Sequence, residues 1–474
     1  MPPSASGAIR RPPAAARQPA RALPGVDLRH EAGAIVLQFG TPSPGAWTAA
    51  FTAAVAGLVA QCRADARARA VVLTGPHLFD DTTEHPDISP LLATLTAPGH
   101  PVVAAITRCA TGIGLELALA CQARTATPSA CLALPGVLRG VLPTNGGTTR
   151  LARLVAPGAA LEMLAFGTSV PAPLAHRLGL LDALSEDPVC AALVATPAPP
   201  PPPRHLDPRP LHALLRRRAP GEAAPQAALQ ALSQALALPS QRALAEARQL
   251  SASLAASAQG QALRHAALAE AAPPPDAAEA PALRWALLRE AIHLVDEGGT
   301  PQQVDLALRR FGFHTPPLAA ADRDGLDQVA RSCVDARPDA WQLYSPLLDL
   351  LLDAGRTGRA AGAGWYRYAL GDPRPQPDPA LAPLLAESAR ATCRRRREVA
   401  EPEIVARCIA ALAGSAAALI ERGMPRLAVD ALSLQLGFPR WRGGIWHHVL
   451  ATGPATIAAQ LAAMPTAPPS PLTA

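Results

Sequence analysis

The run PAPPPPP at 197–203 divides this chain. Proline gives no backbone N–H and locks φ, so neither a helix interior nor a central strand can run through that segment. Whatever cores the chain builds must close on either side of it. With 474 residues, 49% of them hydrophobic, there is apolar material for two to four domains. Aromatics are only 3%, and the 53 prolines and 34 glycines are numerous, so loosely packed segments are expected beside the compact ones. Residues 1–25 are rich in Arg, Ala and Pro and contain no acid. They have some character of a transit peptide but read more simply as a disordered tail.

Before the proline run, short apolar segments alternate with helical ones. AIVLQF (34–39), AVVLTG (70–75) and VVAAIT (102–107) read as strands, with a helix around 49–66 between the first two. This order predicts an α/β domain. After the run, 225–269 is rich in Ala, Leu and Gln and reads as one or two helices. AAPPPDAAEAP (271–281) is a second interruption, and helical periodicity with Gly/Pro stops continues to the end.

The formal charge of +6 comes from a chain with no lysine, in which all 43 basic residues are arginine. No stretch interleaves them with aromatics, and RRRR (394–397) runs directly into Glu398, Glu401 and Glu403, so a solvated helix face is expected rather than a nucleic-acid surface. The eight cysteines form no CxxC pair and have no histidines at ligand spacing, so they read as small buried hydrophobes in a reducing compartment, with no metal. The neighbours His447 and His448 point to different sides of a helix or strand. No apolar run reaches the ~20 residues needed to span a bilayer, so no membrane partner is expected, and the reducing compartment read from the cysteines makes a cytoplasmic location the expected one.

The third strand leads into TGIGLELALAC (111–121), where Glu116 is one carboxylate in an apolar run. A strand, a glycine turn and a helix start present backbone N–H groups that suit an oxyanion or a polarised carbonyl. Glu116 falls in the first turn, where the helix dipole favours a negative charge, so a capping role and a chemical role are both open to it. Acid–base chemistry often uses two carboxylates of different pKa facing one pocket, yet no Asp or Glu lies between Glu116 and Glu162.

The stretch VVAAITRCATGIGLELALACQARTATPSACLALPGVLRGVLPTNGGTTRLARLV (102–155), followed by ALEMLAFGTSVPAPLAHRLGLLDAL (160–184), resembles the crotonase (enoyl-CoA hydratase/isomerase) superfamily over most of 26–190. The resemblance implies a crotonase-like ββα spiral fold and an acyl-CoA or enoyl-CoA ligand. It places one oxyanion-hole N–H at Ile113 and the other in the loop after Phe79, where the matching positions are Thr82, Thr83 and Glu84, with Thr83 as the donor. It puts the first catalytic Glu at Glu116, while the second falls on Gly136, which has no side chain with which to move a proton.

Beyond the connector, LREAIHLVDEGGTPQQVDLALRRFGFHTPPLAAADRDGLD (288–327) resembles the first C-terminal helical repeat of 3-hydroxyacyl-CoA dehydrogenases. GRAAGAGWYRY (358–368) and EIVARCIAALAGSAAALIERGMPRLAVDALSLQLGFPRWRGG (403–444) resemble the second, as joined to a crotonase domain in the multifunctional proteins of fatty-acid β-oxidation. QALRHAALAEAA (261–272) resembles the helix that there precedes the NAD-binding domain, but only about ten residues follow it before the C-terminal helices, far short of the more than ~100 such a domain needs. No GxGxxG occurs, Asn145 is the only asparagine, and the family's Asn-Glu position reads Gly414, Ser415.

The expected organisation is a tail (1–25), a crotonase-like domain (26–190), a Pro/Ala-rich linker with helices (191–280) and two all-α repeats (281–340 and 341–474). The resemblance implies a degenerate β-oxidation protein that binds acyl-CoA, with weak or absent hydratase activity, no NAD site and no dehydrogenase activity. Two alternatives stand beside it. One is an active hydratase or isomerase relying on Glu116, with Glu84 or His85 approaching from the loop. The other is a non-catalytic subunit that docks on a second copy or a partner. GFPRWRGG (437–444) is expected to be a packing turn with Trp441 buried.

Overall fold

The computed structural model describes residues 20–40, 48–80, 88–195, 206–273, 280–332, 345–393 and 395–464. The proline run 197–203 and most of the second interruption lie outside them. Two units form, one from residues 1–217 with 223–254, the other from 218–222 with 255–474.

The first unit is built on a seven-stranded sheet. Its strands are β1 (Ala20–Leu23), β2 (Val26–Glu31), β3 (Ala34–Phe39), β4 (Ala70–Gly75), β5 (Val102–Ile106), β7 (Ala123–Ala126) and β10 (Ala183–Leu184), in that spatial order. The first three pair antiparallel and the rest parallel. The three apolar runs read from the sequence are β3, β4 and β5, and every residue of β4 and β5 is buried, as expected of parallel strands covered on both faces. On one face Ala34, Val36, Ala70, Val72, Val103 and Ala105 cluster with Ala192 and Leu193 of the helix Pro188–Val194. A smaller sheet joins β6 (Cys109–Thr111), β8 (Cys131–Ala133) and β9 (Val170–Pro171), with β6 and β8 parallel. This is the α/β domain that the strand order predicts, in the crotonase-like form that the family resemblance implies.

The thiol expectation needs correction here. Cys109 and Cys131 are register partners on β6 and β8, with Cα atoms 4.6 Å apart, and form a disulfide. Cys62, Cys121 and Cys408 are free and buried, but Cys393 is exposed.

The segment between the two family-like regions is largely helical. It holds helices Pro208–Arg218, Ala223–Ala237, Ser240–Ala256 and Ala258–Ala271, so 225–269 carries three helices where one or two were expected. Ala223–Ala237 packs in the first unit against Gly147–Leu154 and Pro157–Phe166.

The second unit is all-α. Helices Ala280–Glu297 and Glu401–Glu421 are its central pair. Arg407 on the latter donates from Nε to Glu290 Oε1 at 2.6 Å and from its terminal nitrogens to Glu297 at 2.8 Å. Glu401–Glu421 also revises the membrane expectation, because by length and composition alone it could cross a bilayer; 67% of its apolar window is buried within the protein. In the turn 437–444 the deep anchor is Phe438, whereas Trp441 is only half-buried, with the Arg442 guanidinium 4.1 Å from its ring centre.

Residues 358–368, similar in sequence to the second repeat, belong structurally with the first. Asp322 accepts from the N–H groups of Trp365 (2.9 Å) and Tyr366 (3.0 Å) and from the Tyr368 hydroxyl (3.1 Å). Burial pushes the Asp322 carboxyl up from 3.8 to about 6, against the pull of those donors. The folded chain therefore holds this proton more tightly than the unfolded chain. Its contribution to stability is fully present below about pH 4 and is lost as pH rises towards about 6. In urea unfolding, the stability of the wild type relative to Asp322→Asn should fall between about pH 4 and about pH 6 and level off above; a difference that does not change with pH would contradict this.

Candidate active site

The strand β5 and the short strand β6 deliver the chain to Gly112, which opens the helix Ile113–Ala120 with φ at 52°. That left-handed conformation is one glycine adopts at little cost. Two residues on, the backbone of Phe79 lies so close that a Cβ on Gly114 would fall 2.0 Å from its carbonyl oxygen. The Thr111 N–H donates to the same oxygen at 2.8 Å. The glycine turn is thereby held against the end of the loop in which Thr83, Glu84 and His85 fall, though those three lie outside the described residues.

Glu116 is buried, and its partners come from a segment some 30 residues later. Oε1 accepts from the N–H groups of Asn145 at 2.8 Å and Gly147 at 2.9 Å; Oε2 accepts from Asn145 Nδ2 at 3.2 Å. Gly147 starts the helix Gly147–Leu154, whose N-cap residue, Gly146, has no side chain to offer. Glu116 therefore caps the next helix rather than its own. Burial raises its carboxyl above the ordinary value, opposed by these three donors and by the Arg150 charge. Arg150 in turn donates to the Asn145 carbonyl at 2.7 Å, bracing the loop.

A cavity of about 160 Å3 opens beside Glu116. Gly112 and Ile113 form one side of it; Leu134, Gly136 and Arg139 belong to another, and Ser251 contributes from the helix Ser240–Ala256. Ser251 is tied to this wall through Leu142, accepting from its N–H at 2.9 Å and donating to its carbonyl at 3.2 Å. Of the residues singled out in the sequence, Ile113, Glu116 and Gly136 thus meet around one cavity. Asn145, Ser251 and Arg139 were not foreseen there. Asn145 could have been flagged as the only asparagine two residues before a helix start, and Arg139 as a charge within the turn PGVLRG.

A glycine turn at a helix start and one buried carboxylate thus meet at this cavity, the arrangement that the family resemblance implies. Comparison with known proteins gives the same class. Residues 29–195 match the enoyl-CoA hydratase/isomerase family, and 282–368 match the 3-hydroxyacyl-CoA dehydrogenase C-terminal domain. The chain thus carries a crotonase domain and a dehydrogenase-type helical domain. The peroxisomal bifunctional enzyme of Homo sapiens is 35% identical over 190 residues, covering 36% of this chain and 26% of that protein. A peroxisomal fatty acid beta-oxidation multifunctional protein of Arabidopsis thaliana is 51% identical over 84 residues, 18% of this chain and 12% of that one. These matches span about a quarter or less of the relatives' length. Among solved structures, an enoyl-CoA hydratase/isomerase from Pseudoalteromonas atlantica T6c matches at 20% identity and a TM-score of 0.37, covering 53% of this chain and 99% of that one.

Removing the Glu116 carboxylate would leave two buried backbone donors without an acceptor. Glu116→Ala should cost about 2–4 kcal/mol in chemical unfolding and Glu116→Gln, which keeps an acceptor oxygen, clearly less. Equal losses would show that the hydrogen bonds to Glu116 contribute little.

Proposed function

We propose that this chain binds an acyl-CoA or enoyl-CoA thioester in the cavity beside Glu116, and that it is a degenerate relative of the β-oxidation multifunctional enzymes. Its hydratase activity is weak or absent, and it has no dehydrogenase activity of its own. The observation that carries this reading is Gly136, which lines the same cavity as Glu116 at the position where the family resemblance calls for the second carboxylate. A hydratase needs one group to activate water and one to protonate the α-carbon, and each such group contributes about 10²–10⁴-fold. The thioester carbonyl would be received by the N–H of Ile113, with Thr83 as second donor. Neither NAD nor a metal enters the proposal; the chain's part is to hold the thioester.

A second reading has its own support. Burial raises the Glu116 carboxyl, the direction that suits a group exchanging protons near neutral pH, so Glu116 acting alone as acid–base catalyst defines the alternative. On location the support divides. The relatives' names are peroxisomal; the buried free thiols Cys62, Cys121 and Cys408 fit a reducing interior such as the cytoplasm, but the Cys109–Cys131 disulfide does not. Exposed Leu268, Leu306 and Leu450 on the helical unit offer apolar contacts for a second copy or a partner subunit.

Hydration of crotonyl-CoA by the full chain, beside Gly136→Glu, tests this directly. A Cβ at Gly136 would sit 3.1 Å from the Val141 carbonyl oxygen and 3.3 Å from its Cγ2, so Val141 must give by a few tenths of an ångström to admit that atom. The wild type should turn over little, and Gly136→Glu should gain about 10²-fold or more. A wild-type rate at the level of a working hydratase, abolished by Glu116→Gln, would establish the second reading instead. NADH formation from a 3-hydroxyacyl-CoA would overturn the absence of dehydrogenase activity.

A further inference from the structure

The cavity beside Glu116 has two charged residues among its described lining, Glu116 and Arg139. The charge on Glu116 is already answered, by the N–H groups of Asn145 and Gly147 and by Asn145 Nδ2. Arg139 ends the 3-10 turn Pro135–Arg139, three residues after Gly136, and both line the cavity. That turn therefore brings no carboxylate to the cavity lining, and the charged residue it does bring is an arginine. Most of the remaining lining is apolar or glycine: Leu134, Val141, Leu142 and Pro143 with Gly112 and Gly136.

Such a wall discriminates between ligands. An alkyl group laid against a guanidinium takes water from the charge and returns nothing, whereas a carboxylate replaces that water with charge-assisted, often two-pronged hydrogen bonds. A guanidinium has five N–H donors, so it can serve a protein partner and a ligand together. Size narrows the ligand as well. An apolar cavity of ~150 Å3 holds a molecule of benzene, about six heavy atoms, and this one measures about 160 Å3. The cavity is open on one side, so its walled part takes a short acyl group whole and only the first carbons of a longer one.

We propose that Arg139 makes this cavity selective for short acyl groups that end in a carboxylate, with Arg139 as the specificity-determining residue. The inference rests on the acyl-CoA reading above and names its substrate class as CoA thioesters of short dicarboxylic acids.

The test is calorimetric titration of the full chain with succinyl-CoA and with butyryl-CoA, which share a four-carbon acyl skeleton and differ in the terminal carboxylate. The wild type should bind succinyl-CoA about tenfold or more tightly than butyryl-CoA, as a hydrogen-bonded charge pair implies. Arg139→Leu should bring the two affinities together, and Arg139→Lys, which keeps the cation but not the fork, should retain part of the preference. Circular dichroism on each variant establishes that it is folded, and Arg139→Lys carries the test if Arg139→Leu is not. Equal binding of both thioesters by the wild type, or a preference that survives in Arg139→Leu, would overturn the inference and leave the acyl-CoA reading standing. Binding of neither would overturn both.

Discussion

The carboxylate of Glu116 is the point on which the crotonase-type unit turns. It stands on the helix that the glycine turn opens, and its oxygens take the N–H groups of Asn145 and Gly147. Those contacts fix the start of the next helix against the turn, and the cavity lies between the two. A buried carboxylate is tolerable only when its lone pairs are met. The chemistry of the site and the cohesion of the fold therefore draw on the same hydrogen bonds.

The arrangement is not peculiar to the site. In the helical unit, Asp305 accepts from the N–H groups of Leu318 and Ala319, at the start of helix Pro317–Asp324. Asp430 accepts from Trp446 and His447, at the start of helix Ile445–Thr452, and is paired on its other oxygen with His265 at 2.8 Å. In each case the residue at the local cap position, Gly146, Pro316 or Gly444, has no side chain able to cap. A carboxylate from another helix supplies what Ser, Thr, Asp or Asn would supply locally. Set beside Asp305 and Asp430, the position of Glu116 is sufficiently explained by structure, which is why the function turns on what faces it across the cavity.

Much of this architecture was legible in the sequence because it depends on near neighbours. The strands β3, β4 and β5 are built on continuous apolar runs of four or five residues, and the glycine turn follows closely on one of them. The break between helices Ala223–Ala237 and Ser240–Ala256 was also on view in Pro239, and the next in Ser257, whose hydroxyl accepts from the Gly260 N–H at 3.0 Å. What could not be read were the pairings that depend on tertiary register. Cys109 meets Cys131 only because β6 and β8 align in parallel. Trp441 was the obvious apolar anchor of its turn, yet Phe438 took the buried place, stacking edge-on with Phe313 at 5.6 Å. Asn145 and Arg139 gained meaning only once the chain had brought them beside Glu116.

The remote caps bear on the order in which the protein folds. A helix start whose cap lies 13, 16 or 31 residues away cannot be secured by its own segment. Short helices already pay a high nucleation cost in isolation, and these begin with donors that stay exposed until a different helix has docked. The three helices should be consolidated late, when chain topology is largely settled, and their first turns should be the places where native-state opening begins.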